Sequence, residues 1–359
     1  MSWTISRVSS LQLNLANRQY VARATELLQK AGQELSTGVK ADIFADLGPR
    51  AAVALTLRAR EENTQAYITS NKILDSKLQA MLTSVDGVRD SADDVLQNAL
   101  VNASRPTTGV AALQDESRAA LESIIASLNI SYNGDHLFSG IDSDTPPLTR
   151  WNEVSDATGT SPEQVLQDIV GSGPTTLAEA EEMIAKLDAF FDSTNSDPAL
   201  NYEGTFFNGT PLVDDSGAEA NRVTARIDVG QALDYGVQAN DEAFRSMMKG
   251  LAMLAVTNVA EIDDSATYAR WMEEVNASLS GGVQGALNVS AGIGFNQQVV
   301  ENTQTHLNDL SLVQRTQIAD YENVDPYEAS TLVTSLETQL EASYNVTARL
   351  SQMLLLNYL

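Results

Sequence analysis

The sequence predicts a mainly α protein: a long antiparallel coiled coil or helical bundle made from both chain ends, with a small α+β domain inserted between its halves. Three observations carry this reading. A heptad pattern runs without a slip through Asn71, Leu74, Leu78, Met81, Val85, Val88, Ala92, Val95 and Ala99, the steps alternating three and four. Both chain ends carry helices with an apolar stripe. Between them, from Gly140 to Val229, the heptad fades and Gly, Pro, Asp, Ser and Thr punctuate the chain. Composition agrees: 43% of residues are hydrophobic but only 6% aromatic, so the core is expected to be aliphatic and alanine-rich, which suits helix packing.

Taken in order, Leu13, Ala16, Tyr20, Ala24, Leu27, Ala31 and Leu35 share one face of an N-terminal helix that Gly38 closes as a C-cap. The heptad extends backwards from Asn71 through Tyr67, Thr64, Arg60, Leu57 and Val53, giving a helix of about 50 residues, or roughly 75 Å at 1.5 Å per residue. A shorter pattern covers Val110 to Leu128. In the insert, Ser161 caps a helix over 162–170, and Thr176 with Glu179 forms a capping box for a helix over 177–191. Val223, Ala225, Ile227 and Val229 alternate as a strand does. Helices resume near Asp241, with Phe244, Met248, Leu251 and Ala255 on one face, and a long pattern covers Val289 to about Tyr321. Asp325, Pro326 and Glu328 then mark the start of a C-terminal helix whose seam is Val333, Leu336, Leu340, Ser343, Thr347, Leu350 and Leu354. Short connections within each half favour antiparallel neighbours. The expected parts are residues 1–40 with 324–359, residues 41–140 with 236–323, and the insert at 141–235.

Charge and chemistry narrow the function. The net charge is −26, which repels nucleic acid and anionic membrane surfaces, so neither is expected as a partner. Residues 1–60 carry net +4 and residues 141–240 net −14; the basic start could pair with the acidic stretch 287–359. The absence of cysteine excludes disulfides, thiolate metal sites and cysteine nucleophiles, and two histidines, His136 and His306, leave no multi-histidine metal site. No apolar run approaches the ~20 residues of a membrane span, Gly250 to Val256 being far too short. Residues 1–20 lack the apolar core of a cleaved secretory signal.

No catalytic constellation emerges, and no cofactor or metal is expected. The P-loop pattern is missing. Gly171/Gly173 and Gly292/Gly294 lack the third glycine of a dinucleotide site. The acid pairs Asp93/Asp94, Glu181/Glu182, Asp214/Asp215 and Asp263/Asp264 read as surface in so acidic a chain. Asp142 and Asp144 lack the closing glutamate of a calcium loop. His136 reads as a polar loop residue, and the sequon at Asn208 is a match expected by chance.

Several motifs together resemble those of the bacterial flagellin family. Leu35-Ser36-Thr37-Gly38 is similar to the family's turn after the N-terminal helix. His136-Leu137-Phe138-Ser139-Gly140 resembles the segment that precedes the variable insert in the hook-associated branch of the family. Tyr235 to Asn240 resembles that branch's return into the helices, and Gln339 to Leu359 the terminal helix. The likeness covers roughly residues 1–140 and 235–359. Residues 42–48, Asp-Ile-Phe-Ala-Asp-Leu-Gly, depart from the usual flagellin stretch, which favours the hook-associated branch, at the junction of hook and filament, over flagellin itself. A secreted coiled-coil adhesin is the more distant alternative.

The resemblance implies a structural, non-enzymatic homo-oligomer in an axial assembly outside the cell, exported by the flagellar type III apparatus. Its implied neighbours are a hook-associated protein and flagellin, with an export chaperone on the C-terminal helix. The terminal helices would line the inner core, ordering as they assemble, and the insert would face outward. Leu13, Tyr20, Leu27, Leu35, Val333, Leu336, Leu340, Leu350 and Leu354 are the expected assembly contacts.

Overall fold

A computed structural model describes residues 10–104, 110–155, 158–214 and 216–356. It is mainly helical, with long helices from both chain ends and two small antiparallel strand pairs. The helices are α1 (Ser10–Thr37), α2 (Ile43–Leu47), α3 (Ala51–Val101), α4 (Val110–Leu128), α5 (Pro162–Val170), α6 (Leu177–Phe191), α7 (Tyr202–Thr205), α8 (Glu242–Val256), α9 (Ser265–Glu322) and α10 (Pro326–Leu356). Strands β1 (Ser131–Tyr132) and β2 (Asp135–His136) form one hairpin, and β3 (Thr224–Asp228) and β4 (Gln231–Asp234) another.

The local signals act as expected. Gly38 closes α1 at φ 74°, its N–H donating to the Glu34 carbonyl at 2.8 Å. Ser161 caps α5, and Thr176 and Glu179 complete the capping box of α6. Asp325 accepts the Tyr327 N–H at 2.8 Å at the head of α10. The third long helix differs from its sequence signature. It begins at Ser265, well before Val289, because its first half carries glycines that weaken a periodicity reading. Two of them have a packing reason: a Cβ on Gly282 would lie 2.3 Å from Met247, and one on Gly285 2.7 Å from Ala243, so α8 lies close against α9 there.

The chain divides into two compact units. One holds the residues up to Ala66 and from Leu307 onward; the other runs from Tyr67 to His306. In the second, every seam residue of α3 from Asn71 to Ala99 is buried, and α3 lies antiparallel to α9. Polar bonds lace that pair: Ser290 to Asp86 at 3.1 Å, Gln297 to Gln79 at 3.2 Å, and Gln304 to the Ile68 carbonyl at 3.3 Å. Upstream of Asn71 the predicted register holds at Thr64, which is buried, and Tyr67 and Leu57 are half-buried, whereas Arg60 and Val53 are exposed and Ile68, Ala54 and Ala51 are buried instead.

The insert shares its core with α4 and α8. Trp151, Phe190, Phe191, Tyr202 and Phe206 form one aromatic cluster with ring centroids 5.1–6.4 Å apart. The few aromatics of the chain are thus concentrated where the heptad core gives out. Burial drives the Tyr202 hydroxyl well above its ordinary pKa, so it stays neutral, donating to the Ala239 carbonyl at 2.9 Å. The two ends of the insert meet at its root. The Ala239 N–H donates to the Phe138 carbonyl at 2.9 Å, and Phe138, fully buried, packs edge-on against Phe244 with centroids 6.2 Å apart. Leu137 packs partly buried beside this core, and Ser139 is buried, its carbonyl accepting the Thr210 N–H. Gly140 has φ 77°, and a Cβ there would sit 2.5 Å from Gln238. The segments 136–140 and 235–240 are therefore a structural clasp.

One ionic brace holds α6, α8 and α9 together. Lys249 bonds Asp188, and at 2.7 Å Glu274, which Arg270 also meets at 3.0 Å. Burial alone would lower the Lys249 pKa and raise that of Glu274. Their hydrogen bonds outweigh it, so Lys249 ends above its ordinary value and Glu274 below.

Candidate assembly surface

The first unit carries the candidate site, built on α1 and α10. These helices pack antiparallel: Asn17 donates to Thr347 at 2.6 Å near one end, and Val39 bridges Asn323 at the other. The seam between them is thin. Ala31 on α1 and Ala329, Leu336 and Leu340 on α10 are its fully buried apolar side chains among the described residues, with Val21, Ala24, Leu28 and Val333 half-buried. No ion pair joins α1 to α10 among the described residues. Arg18 and Arg23 stand exposed on α1, and Glu337 and Glu341 on α10; the basic start meets the acidic stretch outside these two helices, where Arg58 pairs with Glu322.

The turn motif Leu35–Gly38 locks one end of this pair. The Val324 N–H donates to the Gly38 carbonyl at 3.0 Å, and the Lys40 N–H to the Glu322 carbonyl at 2.8 Å. Thr37 turns its hydroxyl back to the Gln33 carbonyl, ending the helix, and Ser36 is exposed. The loop that departs from the flagellin pattern is ordered by short-range bonds. Asp42 caps α2 through the Ala45 N–H at 3.0 Å, and Asp46 pairs with Lys30 at 2.6 Å, raising the Lys30 pKa. Glu322 is buried and paired with Arg58 at 2.5 Å.

The expected assembly contacts separate into two groups. Val333, Leu336 and Leu340 face α1 within the chain. Tyr20, Leu27 and Leu35 are 73%, 43% and 40% exposed. The side chains of Leu13, Leu350 and Leu354 lie outside the described residues. Helix α1 bears two neighbouring apolar stripes one residue apart: Val21 and Leu28 turn toward α10, while Tyr20 and Leu27 stay open to solvent. On α10, Leu332, Tyr344, Val346 and Tyr327 are likewise exposed. Leu27 and Leu332 line, with Ala31 and Ala329, a cleft of about 310 Å³ between the two helices. The sequence stripe found Tyr20 and Leu27 but passed over Val21 and Leu28; the doublets Tyr20-Val21 and Leu27-Leu28 were the available signal.

The surface offers apolar burial and little chemistry. Among the described residues no three His, Asp or Glu side chains gather as a metal site, and no helix is long and apolar enough to cross a membrane. The ring of His136 bonds the Asn129 carbonyl at 3.0 Å, and Asp142 accepts the Thr210 hydroxyl at 3.1 Å, both structural uses.

Comparison with known proteins gives three results. Residues 8–143 match the family model described as the bacterial flagellin N-terminal helical region, and residues 283–359 match that of the bacterial flagellin C-terminal helical region. Among solved structures, the chain is similar to one from Vibrio parahaemolyticus described as a flagellar hook-associated protein. The two are 14% identical with a TM-score of 0.51, over 77% of this chain and 99% of that one, a likeness of fold. No curated protein matches the chain.

Proposed function

We propose a junction role for this chain, which belongs to the bacterial flagellin family. The family is structural and non-enzymatic, and its members assemble into axial flagellar polymers. Within that frame the chain joins hook to filament by subunit stacking through its terminal helices.

The observation that carries this reading is the pair of apolar stripes on α1. One serves the chain's own α10; the other, with Tyr20 and Leu27, is left for a neighbour together with Leu332 and Tyr344 of α10. Exposed apolar side chains in a row mark interaction surfaces. The segment 136–140, the return at 235–240 and the departure at 42–48 support the hook-associated branch over flagellin. The neighbours are then a hook-associated protein on one side and flagellin on the other. Before assembly, an export chaperone covers the exposed apolar face of α10, and the type III apparatus delivers the chain outside the cell.

Immunogold microscopy of detached flagella tests this, with antibody raised to residues 141–235 and a control showing that the epitope is accessible. Gold confined to the hook–filament boundary is the expected result. Gold along the whole filament would make the chain a flagellin. Flagella without gold would overturn the flagellar role and favour a secreted coiled-coil adhesin.

A further inference from the structure

The stretch of α9 from Val275 to Val300 contains no charged residue, although 19% of the chain is charged and its net charge is −26. It is flanked by Glu274 and Glu301 and spans about seven helical turns. Buried helices often lack charge, but this one is open along one side. Gly281, Gln284, Asn288, Ala291, Phe295 and Gln298 are exposed or nearly bare at alternating steps of three and four, a seam of coiled-coil spacing. Phe295 is 68% exposed, and Leu287 beside it 47%. The other faces of the same stretch are occupied: Gly282 and Gly285 meet α8, Ser290 and Gln297 meet α3, and Asn296 donates to the Asp234 carbonyl.

Two features give the open face a purpose. A Cβ added at Gly281 or Gly292 would meet nothing within 4 Å, so no neighbour in the chain requires these glycines, which weaken a helix. They leave room for a second helix to come close. The missing charge says which second helix. Copies of a chain this acidic repel one another, and like charges brought together at an interface cost several kcal/mol. A chain that must stack on itself needs a face stripped of charge. Binding to a cationic partner would call for the opposite, an acidic face.

We infer that the open face of α9 around Leu287, Ala291 and Phe295 is a lateral contact with a second copy of this chain, Phe295 and Leu287 acting as its apolar anchors. The inference rests on the flagellar reading above and adds a contact apart from the terminal helices. Because the chain has no cysteine, one can be placed at will. Phe295→Cys is expressed as the full chain, and its isolated flagella are treated with a maleimide photo-crosslinker, which adds to the new thiol, and irradiated. The expected product is a band near twice the chain mass of 38.6 kDa, with crosslinked peptides from two copies. Asp94→Cys, exposed on α3, should give none. Phe295→Glu should melt as wild type does and be lost from flagella. Flagella that contain the Phe295→Cys chain without the chain-to-chain product, or with crosslinks only to another protein, overturn the inference and leave the flagellar reading standing. Absence of the wild-type chain from flagella overturns both.

Discussion

Leu340→Asp isolates what the α1–α10 seam does. Leu340 is 7% exposed, so its replacement forfeits nearly the whole burial of a leucine side chain, about 2 kcal/mol. A carboxylate in its place faces an apolar seam with water on one side and costs a further ~1–3 kcal/mol. Against this loss of about 3–5 kcal/mol, the pair retains Leu336, Ala329 and Ala31 as buried apolar groups and the Asn17–Thr347 bond. The two helices should part. With α1 and α10 paired in the single chain, hydrogen exchange followed by mass spectrometry should show protection in 10–37 and 326–356 that falls in Leu340→Asp to near that of an unfolded peptide, whereas helices that order only on assembly would show no protection to lose. The near-ultraviolet signal of Trp151 and Trp271, both in the other unit, should persist. Leu332→Asp is the control. Leu332 is 45% exposed, so exchange should stay at the wild-type level while incorporation into flagella drops. Wild-type protection in Leu340→Asp would refute the seam, and loss of protection in Leu332→Asp would show that the exposed stripe holds the chain's own helices.

The double change Tyr20→Ser and Leu27→Ser should leave thermal stability within ~0.5 kcal/mol of wild type, since both side chains are exposed, yet abolish incorporation; normal incorporation would remove the α1 stripe from the assembly surface. Lys249→Met should destabilise the Tyr67–His306 unit by about 2 kcal/mol at neutral pH, because it leaves half-buried Glu274 short of a partner. Glu274 lies below its ordinary pKa when folded, so its contribution is present above the carboxylate range and lost as pH falls through its lowered value. Lys249 lies above its ordinary value, so its contribution is lost only as pH rises past ~10.4. The melting difference between wild type and Lys249→Met should therefore be flat from about pH 6 to 9 and shrink below about pH 4; a difference that persists in acid would mean the loss is one of packing. Gly140→Ala, measured by denaturant titration, should cost about 2–3 kcal/mol, since φ 77° and the contact with Gln238 both oppose a Cβ; a neutral result would mean that the clasp is slack.

Much of the fold is legible in the sequence where one physical rule acts alone. The seam from Asn71 to Ala99 has a single face to bury, and its spacing states which. Caps at Ser161, Thr176 and Asp325 depend only on neighbours a few residues away. The rest depends on what lies opposite. Gly282 and Gly285 look like helix breakers until Met247 and Ala243 are seen against them. The doublets Tyr20-Val21 and Leu27-Leu28 announce an apolar face but not how it divides between α10 and solvent, because both members are apolar and 100° of rotation separates them. The aromatic cluster of the insert draws residues from Trp151 to Phe206 that no period connects. The polar lacing of α3 and α9 is hidden for the opposite reason, since Ser, Gln and Asp read as surface until their partners are known.

The clasp at the root of the insert bears on how such a chain can change through descent. About a hundred residues leave the bundle at Phe138 and return at Ala239, two positions joined by a hydrogen bond. Closing a loop costs entropy that grows only with the logarithm of its length, so doubling it adds about 0.6 kcal/mol. The helices therefore place almost no limit on how much chain is carried between those two points. Lineages are free to lengthen or trim the exposed excursions around 141–146 and 194–198 as selection on the outer surface demands, provided Phe138 keeps its contact with Phe244, Gly140 keeps its bare backbone, and the Tyr202 hydroxyl keeps its hold on Ala239.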